Sequence, residues 1–232
     1  MGKDVIIACD FASAEQTFEF LDKFTGRKPF VKIGMELFYA ADPEIVREIK
    51  KRGHKIFLDL KLHDIPNTVK KAMAVLSNLD VDICNLHAGG TCRMMGAALD
   101  GLTRPDGTRP LLIAVTQLTS TDQEAMENDL LIKEPIDKVV MHYAANAKKA
   151  GLDGVVCSPL EAGKVHDICG ADFLTITPGV RFADGDVGDQ KRVMTPEQAK
   201  KIGSDYIVVG RPITAAADPV AAYERCVAEF VD

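Results

Sequence analysis

The segment 57–68, FLDLKLHDIPNT, holds the residue types best suited to proton chemistry. Leu58, Leu60 and Leu62 alternate with Asp59 and Lys61, which is the period of a strand. The acid and the amine therefore project to one side and the leucines to the other. Lys32 sits in a second apolar run, FVKIGM, and Asp10 ends a third, DVIIACD. Charges set among apolar neighbours are costly unless they pair or are used. A salt-bridge network that only closes the core is the bland alternative. Buried ion pairs stabilise weakly, so a chemical role accounts for the four groups better. A lysine beside carboxylates keeps its proton, whereas a Schiff-base lysine needs a lowered pKa. Lys61 thus reads as a charged proton donor, not a covalent nucleophile.

A second pattern suits an anion. Pro178-Gly179-Val180-Arg181 and Gly210-Arg211-Pro212-Ile213 each follow an apolar run. Glycine lets backbone N–H groups approach a phosphate, and arginine can grip it with two bonds. The histidines say less. His54 and His166 read as surface residues, His142 lies on a helix, and His87 ends an apolar run. Asp59, His63, Asp64 and His87 form the one conceivable metal set, but two nearby lysines oppose a divalent cation. No metal is expected.

These side chains need elements to position them. Short apolar runs recur at 4–10, 30–35, 55–60, 81–87, 110–116, 154–158, 173–178 and 205–210. Near-continuous apolar strands point to a parallel sheet covered by helices. Helical segments lie between them. Ser13 with Gln16 and Thr195 with Gln198 fit capping boxes. Asp42-Pro43, Ser158-Pro159, Thr195-Pro196 and Asp218-Pro219 place a cap before a first-turn proline, and Gly53, Gly151 and Gly203 follow helices as stops. Eight strand–helix units in 232 residues predict an α/β fold with one domain, 1–232, closed as a (β/α)8 TIM barrel; an open doubly wound sheet is the alternative. In a barrel, Asp10, Lys32, Asp59 and Lys61 converge on the C-terminal mouth, and the two arginine loops follow strands seven and eight, where phosphate sites of this fold often lie. The long polar interval 117–135 and the Gly/Asp-rich 178–192 follow strands on that face and are candidate ligand-contacting loops or a lid.

Bulk properties narrow the partners. The net charge of −6 gives no basic surplus for a nucleic acid. No apolar run approaches the ~20 residues of a membrane span, and a strand begins too early for a signal peptide. The six cysteines include no C-x-x-C pair; Cys9, Cys84 and Cys157 read as small buried hydrophobes in a reducing cytoplasm.

The segments FVKIGMELF, FLDLKLHDIPNTV, NLHAGG, AVTQLTS, LTITPGVR and VVGRPIT, in this order, resemble the orotidine 5′-phosphate decarboxylase family, particularly its bacterial form, over essentially the whole chain. The resemblance implies decarboxylation of orotidine 5′-phosphate to uridine 5′-phosphate, the last step of de novo pyrimidine synthesis, without metal or organic cofactor. It implies a charged array of Lys32, Asp59 and Lys61, joined by Asp64 from the second subunit of a homodimer, with Lys61 as proton donor. Asp10 and Lys32 would contact the ribose hydroxyls, and Thr68 would reach across the dimer beside Asp64. Thr119, with Ser120 beside it, corresponds to the contact to the pyrimidine edge, the division between them being open. Pro178 would line the pocket, and Gln190, Gly210, Arg211 and Arg181 would hold the phosphate.

Two other functions compete. A magnesium-dependent sugar-phosphate decarboxylase or aldolase of the same barrel family also carries D-x-K-x-x-D, but tends to place an acidic metal ligand where this chain has Lys32. A non-catalytic phosphate-ligand binding barrel is the other, since a fold does not dictate function; simple binding has no need of an inward proton donor.

Overall fold

Side-chain alternation divides each of eight strands between two environments, and this division builds the molecule. The strands are β1 (Asp4–Ala8), β2 (Phe30–Gly34), β3 (Ile56–Leu62), β4 (Ile83–His87), β5 (Leu111–Val115), β6 (Gly154–Val156), β7 (Leu174–Thr177) and β8 (Tyr206–Val209). The computed structural model describes residues 3–183 and 194–232. All strand pairs are parallel, and β8 returns to β1, closing the barrel in sequence order. Ile6, Phe30, Phe57, Ile83, Ile113, Ile176 and Val208 fill the interior, while Val5, Val31, Leu58, Cys84, Leu112 and Ile207 pack outward. The expected (β/α)8 barrel is the fold.

The helices hold the mouth in place. Pro66–Leu76 starts directly after β3, with Pro66 at its first turn. It packs so tightly on Thr91–Leu102 that a Cβ at Gly101 would collide with the Lys70 carbonyl. Thr195 and Gln198 form the expected capping box; Ser13 caps Ala14–Leu21 through the Gln16 N–H. Gly53, Gly151 and Gly203 have φ of 86, 87 and 101°, the left-handed stop for which glycine is suited.

Three expectations need correction. The Asp42-Pro43 pair does not place Pro43 inside the helix. Asp42 has φ 52°, Pro43 is itself the cap of Glu44–Lys51, and the Asp42 carboxylate accepts the Glu44 N–H at 2.6 Å. The interval 117–135, expected as a loop, holds a short helix, Gln123–Asn128, capped by Asp122. His54 is not a surface residue but 2% exposed. The ring fills a buried corner where Nδ1 donates to the Pro29 carbonyl at 2.8 Å.

At the N-terminal mouth a pattern repeats. Asp82 accepts the Ile56 N–H at 2.7 Å, Asp153 the Leu112 N–H at 2.7 Å, and Asp205 the Thr175 N–H at 2.8 Å. Each aspartate precedes an even-numbered strand and caps the odd-numbered strand before it. Lys50 and Arg109 pair with the first two, and His166 Nε2 lies 3.0 Å from Asp205.

Burial pushes the His54 pKa below its ordinary value, partly offset by the Pro29 carbonyl. The unfolded ring takes up a proton below about pH 6.5, while the folded ring resists until lower pH, so stability falls as pH drops through this window. His54→Gln is expected to show a shallower fall in Tm than the parent between about pH 7.5 and 5.5. Equal slopes in thermal melts would assign the pH dependence to other groups.

Candidate active site

Adjacent strands bring the four charged side chains together. Ala8 lies opposite Lys32 in the β1–β2 register, and Gly34 opposite Asp59 in β2–β3. Lys32 Nζ lies 2.8 Å from Asp10 Oδ1 and 3.4 Å from Asp59 Oδ2, and Lys61 Nζ lies 2.7 Å from Asp59 Oδ1. The result is a line of alternating charge, Asp10–Lys32–Asp59–Lys61. Its centre is buried: Lys32 is 9% and Asp59 8% exposed. Burial alone would lower the Lys32 pKa, but the Asp59 and then the Asp10 carboxylates outweigh it and hold the pKa above the ordinary lysine value. Burial also opposes ionisation of Asp59; the Lys32 and Lys61 ammoniums, with hydrogen bonds from Lys61 and Asn85, outweigh it and hold its pKa low. The pair of neighbours thus stays charged across neutral pH.

Lys61 does not continue the strand regularly. In β3–β4 pairing Leu58 lies opposite Cys84 and Leu62 opposite Leu86, so four steps on β3 match two on β4. Within this irregularity Lys61 has φ 52°. A left-handed backbone on a side-chain-bearing residue costs on the order of 1–3 kcal/mol and clusters at functional sites. Leu58 and Leu60 pack under the helices as expected, with Leu62 against their edge.

Beside the array is a cavity of about 170 Å³, lined by Lys32, Asp59, Lys61, Gln117, Thr119 and Pro178, with Phe57, Val115 and Val208 among its apolar walls. Thr119 is at the cavity; Ser120 is exposed and not part of the lining. Gly210 follows β8 with Arg211 opening a short helical turn, Arg211–Thr214, on the same mouth. Arg181 is anchored by its N–H to the Met194 carbonyl at 3.0 Å, and its guanidinium donates to the Val180 carbonyl. Asp64 and Thr68 are exposed and outside the lining. Among the described residues Asp64 forms no ion pair; its carboxylate accepts the Ile65 N–H at 2.6 Å. Gln190 and most of 178–192 lie outside the described residues. A larger hollow, about 600 Å³, opens at the opposite mouth by Leu111, Asp172 and Phe173; of its three carboxylates, Asp153 and Asp205 cap strands.

Two residues of the site escape sequence reading. Asn85 on β4 bonds both Asp59 and the Lys61 main chain. Gly34 leaves room for the array: a Cβ there would lie 3.0 Å from both Asp10 Oδ1 and Lys32 Nζ. Among the described residues no group of three or more His, Cys, Asp or Glu side chains is placed to hold a metal ion, and no helix is long and apolar enough to cross a membrane.

Alternating charges at the C-terminal mouth of a closed parallel barrel define a (β/α)8-barrel enzyme. Comparison with known proteins narrows the class. A family model described as orotidine 5′-phosphate decarboxylase / HUMPS matches residues 3–226, and the chain belongs to that family. It is 58% identical over 228 residues to orotidine 5′-phosphate decarboxylase from Streptococcus thermophilus (strain ATCC BAA-491 / LMD-9), covering 98% of this chain and 97% of that one. The counterpart from Geobacillus sp. (strain WCH70) is 53% identical over 233 residues, covering 99% and 98%. The crystal structure of orotidine 5′-phosphate decarboxylase from Lactobacillus acidophilus superposes with a TM-score of 0.88 at 43% identity, covering 99% of this chain and 100% of that one.

The Gly34 backbone, φ −87° and ψ −179°, accepts any residue, so Gly34→Ala tests crowding alone. It is expected to lower kcat/KM about tenfold, since sub-ångström displacement of a reacting array is costly, with Tm little changed. Parental kinetics would show that the Asp10–Lys32 pair gives way freely.

Proposed function

We propose that this chain decarboxylates orotidine 5′-phosphate to uridine 5′-phosphate without metal or organic cofactor, with Lys61 as the proton donor. The observation that carries the reading is the Lys32–Asp59–Lys61 array beside the cavity. When the C6–carboxylate bond breaks, carbon dioxide leaves and the electron pair stays on C6, in the ring plane where the π system cannot absorb it. Many decarboxylases use a cofactor as electron sink. Here the Lys61 ammonium stabilises the developing charge and then delivers an Nζ proton to C6. Asp59 holds that ammonium 2.7 Å away and faces the departing carboxylate.

The remaining assignments follow the family pattern. Asp10 and Lys32 contact the ribose hydroxyls. Thr119 meets the pyrimidine edge, and Pro178 lines the pocket. Gly210, Arg211, Arg181 and Gln190 hold the phosphate. Binding energy from the phosphate, far from C6, helps organise the reacting end. Enzymes remove about 8–23 kcal/mol of barrier, and a carbanion with no electron sink calls for the upper end. The rival reading is a magnesium-dependent sugar-phosphate decarboxylase or aldolase of the same barrel family. Against a metal-dependent reaction of that kind stands Lys32, an ammonium 3.4 Å from Asp59, which repels a divalent cation. The six unpaired cysteines support a reducing, cytoplasmic setting.

The active form is a homodimer in which Asp64 and Thr68 complete the partner's site. Supporting this, Asp64 and Thr68 are exposed around Ile65, itself 66% exposed. An apolar side chain so placed beside an unpaired acid suits a subunit contact.

Lys61→Ala is expected to lose roughly a hundred- to ten-thousandfold in kcat, the range of a lost general acid, while still binding uridine 5′-phosphate. The parent is expected to keep its turnover after exhaustive chelation. Loss of the orotate absorbance band measures both. Residual turnover within tenfold would remove Lys61 from the donor role, and magnesium-restored activity after chelation would favour the sugar-phosphate class.

Mixing inactive Lys61→Ala and Asp64→Ala chains tests the shared site. A mixed dimer carries both defects in one site and none in the other. Half the dimers are mixed and half their sites intact, so about a quarter of parental activity should return. No recovery, with mixed dimers verified by mass spectrometry, would return Asp64 to its own chain.

A further inference from the structure

Asn85 is an amide where the barrel interior calls for a hydrocarbon. It lies mid-strand on β4 and is 1% exposed. Its neighbour on the same face, Ile83, belongs to the apolar interior, whereas Cys84 and Leu86 face the helices. A buried primary amide is unfavourable unless its donors and acceptor are met. Asn85 Nδ2 donates to Asp59 Oδ1 at 2.6 Å, and Asn85 Oδ1 accepts the Lys61 main-chain N–H at 2.8 Å. The partners fix which way the amide points, since a carboxylate only accepts and a main-chain N–H only donates. One side chain thus clamps the carboxylate of Asp59 and the backbone of Lys61.

The clamp sits where the sheet stops providing one. The β3–β4 ladder loses its register between Leu58 and Leu62, and the Lys61 N–H is there met by a side chain. On its other edge β4 is regular, pairing with β5 from Ile83–Leu111 through His87–Val115. Asn85 is therefore mounted on a rigid strand and reaches toward the irregular one. It fixes the left-handed turn at Lys61, which sets where Nζ can go, and it orients Asp59 Oδ1, the atom that Lys61 Nζ also contacts at 2.7 Å. Asn85 does not line the cavity, so it acts through the other two.

We propose that Asn85 is a positioning residue for decarboxylation, holding the proton donor and its carboxylate partner in register with each other. The proposal rests on Lys61 and Asp59 being the reacting pair.

Asn85→Ala is expected to lower kcat about a hundredfold, as for an ångström-scale misplacement, with affinity for uridine 5′-phosphate within threefold of the parent. The acid limb of kcat/KM should move to higher pH, because Asp59 has lost a hydrogen bond to its charged form. Asn85→Asp should respond in the opposite sense. Ionised, it sets a second carboxylate against Asp59. Protonated, it donates to Asp59 and accepts from Lys61 as the amide does, so its activity should rise on acidification where that of Asn85→Ala falls. Should Asn85→Ala not fold, Asn85→Ser carries the same kinetic and pH readouts. A folded variant with kcat within threefold and an unmoved pH profile overturns the proposal while leaving Lys61 in place. So does a loss of turnover matched by loss of uridine 5′-phosphate affinity, which marks a merely structural amide. Lys61→Ala retaining turnover within tenfold overturns the proposal together with the reading beneath it.

Discussion

The Asp59 carboxylate, buried between two ammoniums, is the interaction on which the rest of the site depends. None of the three charges is tolerable there alone. A buried ion pair roughly breaks even against apolar packing, but removing one member strands the others. The barrel makes the arrangement possible by geometry. Neighbouring parallel strands β2 and β3 each turn one charge inward, Lys32 and Asp59, two register positions apart, and β1 delivers Asp10 at the rim to complete the alternation. What these charges forgo in stability they return as electrostatics already organised before any substrate arrives, which is where large catalytic effects arise.

That dependence explains the irregular backbone beside it. A regular β3 would set Lys61 two residues beyond Asp59 on the same face, one pleat further toward solvent. The slip between Leu58 and Leu62 and the positive φ at Lys61 accompany an Nζ folded back onto Asp59 Oδ1. Strain at one residue is tolerable when its surroundings over-determine it; here the Asn85 amide and the Asp59 carboxylate do so from two directions.

The fold was legible in the sequence because apolar runs and helix punctuation are local signals, and all eight strands lie where those runs lie. The inward charges were legible too, since Asp59 and Lys61 break an otherwise leucine-rich alternation. Other features depend on what meets across space. A lone asparagine in ICNLH carries no sign of its partners until β3 is beside it. Gly34 reads as a strand end, and its lack of a side chain matters only because Asp10 and Lys32 occupy the space. His54, set among Lys51, Arg52, Gly53 and Lys55, looks solvated by its neighbours, yet the chain turns there and the ring goes under. Asp42-Pro43 misleads for a local reason: the proline ring is compatible with the cap itself, and the Asp42 carboxylate takes the Glu44 N–H from one residue further back.

The two mouths of the barrel show one residue type put to opposite ends. At the N-terminal mouth Asp82, Asp153 and Asp205 each take a main-chain N–H from the preceding strand, and Lys50, Arg109 and the His166 ring meet them from a helix or loop outside. These bonds fasten strands β3, β5 and β7. At the C-terminal mouth Asp59 receives no main-chain N–H among the described contacts. Its bonds come from Lys61, Lys32 and Asn85 side chains, two of which face the cavity. A carboxylate that accepts a main-chain N–H fixes a strand, because that group can neither move nor give up its proton. One held by ammoniums keeps those ammoniums charged and aimed, and they remain free to act on whatever enters. Asp82, Asp153 and Asp205 stand just before a strand, whereas Asp59 lies midway along β3 and lines the cavity.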